Sequence, residues 1–136
     1  MQKVLLSAFC MICALFGTIL SFSFGGWSQA LTFLMIAMAV DYITGVAAAI
    51  KEDKGLSSIV GSWGLARKGL TLLVILLAHQ IDILLQSGEM VMSASVYFYL
   101  ANELISIIEN CGRVGLPIPK QIKGMIEVLK DRGKDE

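Results

Sequence analysis

Residues 4–40 read VLLSAFCMICALFGTILSFSFGGWSQALTFLMIAMAV, 37 positions without one charged side chain. As a single helix this stretch would measure about 55 Å, nearly twice the ~30 Å hydrocarbon core of a bilayer. It is also too long an apolar run for the interior of a small soluble domain, which has little volume to hide it. The run therefore crosses a membrane and folds back on itself. Gly25-Gly26, followed by Trp27 and Ser28, is the break, because paired glycines interrupt a helix and Trp favours the headgroup level. Span one is then 4–24 and span two 28–50.

The rest of the chain keeps the same composition. Of 136 residues, 56% are hydrophobic and 16% charged, against roughly 25% charged in soluble domains. Residues 69–87 (GLTLLVILLAHQIDILLQS) give a third span, stopped by Gly88-Glu89, and 90–108 (MVMSASVYFYLANELISII) a fourth, more polar one. Orientation follows from Lys and Arg. Lys3 precedes span one; Lys51, Lys54, Arg67 and Lys68 lie between spans two and three; Arg113, Lys120, Lys123, Lys130, Arg132 and Lys134 follow span four. With four spans all 11 basic residues fall on one side, which places both termini in the cytoplasm. A competing reading takes Lys3, the first apolar stretch and Ser28-Gln29-Ala30 as a cleaved signal peptide, leaving three spans and a mature chain from Leu31.

The expected fold is all-α: an integral membrane protein of four transmembrane helices, with three as the alternative, and a short amphipathic cytoplasmic C-terminal helix. The transmembrane unit covers 1–110 and the tail 111–136. Two segments read as interfacial. In 55–66, Leu56, Ile59, Val60 and Trp63 recur at i, i+3, i+4, i+7, as do Ile122, Met125, Ile126 and Leu129 in the tail. Pro117 and Pro119 separate the tail helix from span four. Basic residues at the membrane surface (Arg67, Lys68, Lys120, Lys123, Lys130, Arg132) suit anionic lipid. A tail packed on a neighbouring subunit fits the same pattern.

Ionisable groups inside spans cost about 2.5–3.5 kcal/mol each on insertion scales and face protein or water. Asp41 lies near the middle of span two, and Ala37, Asp41, Gly45 and Ala49, four apart, make one strip. Small residues there admit a second helix that shelters the carboxyl, within the monomer or between subunits. Lipid exposure and a proton relay are the alternatives for Asp41. Span one has a weaker strip, Gly17, Ser21 and Gly25. His79 and Asp82 are neighbours on span three, and Asn102 and Glu103 lie in span four. One histidine supplies too few nitrogen donors for a metal site, and no nucleophile motif or phosphate loop accompanies these groups. Cys10 and Cys13 read as apolar packing residues, with Cys111 apart from them. No cofactor and no catalytic residue is expected. Eleven basic and eleven acidic residues leave no surplus for nucleic acid.

An ordered set of motifs resembles the toxin-secretion/phage-lysis holin family: DYITG at 41–45, Ser57-Ser58 leading to Gly64 and Arg67-Lys68, Asp82, NELISIIEN at 102–110 and GLPIPK at 115–120. The resemblance runs from about residue 30 to 130. It implies a phage or prophage protein of the bacterial cytoplasmic membrane that has no catalytic activity. Such proteins gather there as homo-oligomers and open lesions through which an endolysin, or a toxin, leaves the cell. Asp41 and Gly45 are then the first candidates for assembly, and Asn102 and Glu103 the next. A different class, the four-span proton-coupled multidrug exporter, matches in length, but such exporters carry a membrane Glu in the first span and this first span has no carboxylate. A membrane scaffold whose tail recruits a cytoplasmic partner is a third reading.

Overall fold

The computed structural model describes residues 1–135. It contains five helices: α1 (Gln2–Ser23), α2 (Gln29–Lys51), α3 (Ser58–Leu85), α4 (Met90–Val114) and α5 (Lys120–Asp135). The first four are long and apolar enough to cross a membrane.

Local chemistry sets the ends of these helices. Gly25 (φ +70°) and Gly26 (φ +101°) occupy the left-handed region that side chains avoid, and the Gly26 N–H returns to the Ser21 carbonyl at 2.8 Å. Ser28 then caps α2, its hydroxyl accepting the Leu31 N–H at 3.2 Å. Gly115, at φ +88°, ends α4, and the Leu116 N–H folds back onto the Cys111 carbonyl at 2.8 Å. Pro117 and Pro119 follow, and the chain reverses into α5.

Helix α4 is the centre of the molecule. It packs on α2, α3 and α5, while α2 and α3 barely meet. Leu31, Leu34, Ile75 and Leu100 are fully buried between α2, α3 and α4. Burial of Ala37, Ala78 and Ala101 beside them is what lets the backbones approach. In lipid, close van der Waals packing, not escape from water, draws helices together. Helix α1 stands apart, with none of its residues buried. Gly17 would meet nothing within 4 Å if it carried a Cβ, whereas Gly25 at the far end of the same strip lies against His79 of α3.

Two expectations change. The 55–66 segment is not a separate interfacial helix, because α3 begins at Ser58 and runs unbroken through Gly64 and Gly69. Glycine weakens a helix by about 1 kcal/mol but keeps its N–H, and Lys68 is held from inside the bundle, so nothing breaks the helix there. The fourth span continues past 108 to Val114. In the tail, α5 lies along α4, with Ile126 buried and Leu129 packed against the core. Half of the tail stripe, Ile126 and Leu129, thus meets protein, while Ile122 and Met125 stay exposed and Lys120, Lys123 and Lys130 are exposed as well.

Candidate functional site

An ionic seam joins the three packed spans. Lys68 of α3 donates to Asp41 of α2 at 2.7 Å and to Glu103 of α4 at 2.5 Å. Each of the three side chains is only 14–16% exposed. All three lie about 15 Å or more along the axis from the helix ends at Lys51, Ser58 and Val114, so the seam is at mid-helix depth. One cation between two carboxylates offsets much of the cost of burying each, although one ammonium cannot neutralise two ionised carboxyls. It also explains why α2 and α3 need little direct contact: both are tied to α4 and to one ammonium group.

Asn110 extends the seam toward the helix ends. Its amide donates to Asp41 Oδ1 at 3.1 Å, to the Asp41 carbonyl at 3.2 Å and to Thr44 Oγ1 at 3.2 Å. A Cβ on Gly45 would sit 3.5 Å from that amide. The Ala37–Ala49 strip therefore faces α4 of the same chain. At the end, Arg113 grips both oxygens of Glu52, at 2.9 and 2.8 Å. The Arg113 guanidinium, with Lys54 beside it, holds the Glu52 carboxyl at about 2. Lys51 donates to the Val114 carbonyl at 2.6 Å.

At the opposite end Asp82 has another role. It is buried and accepts from the Ser87 hydroxyl at 2.6 Å and from the Val91 and Met92 N–H groups at 2.9 and 2.8 Å. Asp82 thus caps α4 from the preceding helix, satisfying N–H groups that a helix start leaves open. His79, one turn earlier, lies against the α1–α2 turn: a Cβ on Gly25 would come 2.4 Å from its Cε1.

The intramembrane polar residues thus divide into groups. Asp41 and Glu103 meet, His79 and Asp82 serve the turn end, and Asn102 is exposed away from both. Lys68 is corrected from the membrane surface to the bundle interior, because two carboxylates there outcompete a headgroup. Arg67 remains exposed. Asn110 was missed, although it follows Glu103 by seven residues and shares its helix face. Among the described residues no group of His, Cys, Asp and Glu could hold a metal, and the three cysteines are free.

Comparison with known proteins matches residues 18–131 to the bacteriophage holin family. An uncharacterised protein of Halalkalibacterium halodurans is 41% identical over 122 residues, covering 86% of this chain and 90% of its own length. An uncharacterised 14.9 kDa protein of Clostridium perfringens is 40% identical, with 85% of this chain and 88% of the relative aligned. A probable holin of Bacillus phage phi105 is 36% identical over 105 residues, 77% of each chain. No solved structure gives a significant match. The family match spans α2 to α5 and includes every residue of the ionic seam, and on that ground this membrane protein belongs to the bacteriophage holin family.

Proposed function

We propose that this protein is a non-enzymatic holin: it crosses the bacterial cytoplasmic membrane with both termini in the cytoplasm, self-associates, and opens lesions that release an endolysin or a toxin. The observation that carries this reading is the likeness to the phi105 probable holin across the packed spans. The bundle geometry supports it. Each chain hides Asp41, Lys68 and Glu103 between its own helices, so a single copy is tolerated in lipid. The same residues could line a wet space if copies repacked their helices around it. Helix α1, which buries nothing in its own chain, is free to meet a second copy. The endolysin is a functional partner that passes through the lesion, and direct contact with it is not required.

Induction of the protein in growing bacteria tests this. Membrane potential should collapse, and cells that also carry an endolysin should lyse. Normal growth and potential, with insertion of the protein confirmed by membrane fractionation, would refute the proposal.

A further inference from the structure

At the turn end of the bundle a cleft of about 240 Å³ opens between the α1–α2 turn and the start of α4. Phe24, Trp27, Glu89, Ser93, Val96 and Tyr97 are among the residues that line it. We propose that this cleft binds a primary ammonium group on a short stem, as in an aminophospholipid headgroup or a free alkylammonium ion. The proposal requires membrane insertion but not lytic activity, and so goes beyond the function above.

The anionic group is free because another residue does its ordinary work. Glu89 is the N-cap of α4 yet makes no side-chain cap hydrogen bond. Asp82 already accepts from Val91 and Met92. Glu89 is exposed, and among the described residues its carboxylate forms no ion pair. Nor does the sequence supply a nearby cation: between Gly69 and Gly112 there is no Lys or Arg, and none between Val4 and Ile50. The titratable groups nearby are Asp82, also acidic, His79 behind Gly25, and the phenol of Tyr97. An unpaired carboxylate in this setting draws cations to the cleft.

The aromatic side is held in place before any ligand arrives. Trp27 donates its indole N–H to Thr32 Oγ1 at 2.9 Å and packs edge-on to Phe24 with ring centroids 5.9 Å apart. A fixed ring lining the same cleft as a carboxylate suits an organic cation, which the ring face can attract, and little ordering is lost on binding. The Ser93 hydroxyl donates to and accepts from no group among the described residues, which leaves it an acceptor for an ammonium N–H. A quaternary ammonium has no N–H to use it. Trp27 is 45% exposed, as a residue at the headgroup level would be.

The test uses the full chain carrying Trp63→Phe, so that Trp27 is the remaining indole, in phosphatidylglycerol nanodiscs with or without phosphatidylethanolamine or phosphatidylcholine. Phosphatidylethanolamine should shift Trp27 emission, phosphatidylcholine should not, and Glu89→Gln should weaken the response at least tenfold. Glu89→Lys should abolish it. A response to free ethanolamine in phosphatidylglycerol discs, without one to phosphatidylethanolamine, would support the site and identify the aqueous source. Equal responses to the two lipids, an undiminished response in Glu89→Gln, or silence toward both ethanolamine and phosphatidylethanolamine would overturn it.

Discussion

Replacing Lys68 with Met removes the ammonium group shared by Asp41 and Glu103. Those carboxylate oxygens lie 2.7 and 2.5 Å from Nζ, so they can be no more than about 5 Å apart. Two unit charges at that separation repel by about 3 kcal/mol at an effective dielectric of about 20. Loss of one partner from a buried pair costs about 3–5 kcal/mol in general, so the two estimates agree. At about 1.4 kcal/mol per factor of ten, that is a shift of roughly a hundredfold to several thousandfold in the folding equilibrium. The assay is reversible unfolding in mixed lipid–detergent micelles titrated with SDS and followed by far-UV circular dichroism. The combined Asp41→Asn, Lys68→Met, Glu103→Gln variant leaves no uncompensated charge and should recover most of the loss. A Lys68→Met protein within about 0.5 kcal/mol of the parent, or a combined variant as weak as Lys68→Met, would refute the seam as the tie between the spans.

Three further predictions follow from the same contacts. Asp82→Ala strands the Val91 and Met92 N–H groups and should cost about 1–3 kcal/mol for each, with protease cleavage appearing at the α3–α4 turn. Gly45→Ala should be nearly neutral, since its Cβ would lie at an ordinary 3.5 Å from Asn110; Gly45→Leu should displace Asn110, lower thermal stability and delay lysis. Glu52 is held at about 2, below its ordinary 4.5, by Arg113 and Lys54. Because the folded value is the lower one, the pair stabilises the fold above pH 4.5, and that contribution fades as pH falls toward 2. Amide protection at residues 49–54, taken relative to the intrinsic exchange rate at each pH, should therefore fall across this window in the parent, and the fall should be much smaller in Arg113→Ala.

The long apolar helices were legible because hydropathy is a local quantity: the uncharged run 4–40 and the Gly25-Gly26 break mark two helices of membrane-crossing length without reference to any other helix. Asp41 announced itself for the same reason, since a carboxylate in a small-residue strip needs a neighbour. The chain alone also placed its Lys and Arg toward one side of four spans, an expectation from which Lys68, ten residues into α3, departs. Which neighbour shelters Asp41 was not readable, because a lysine just before a span looks the same whether it reaches for headgroups or for a carboxylate. Only the rotation of α3 and α4 about their axes brings Lys68 onto Asp41 and Glu103. The α3 boundary was hidden by the same ambiguity, since a charge pair inside the bundle lets a helix run through residues that read as a surface loop. Asp82 capping α4 and α5 lying on α4 belong to this class too. Each joins segments distant in sequence, and packing between helices, not the pattern along any one of them, sets it.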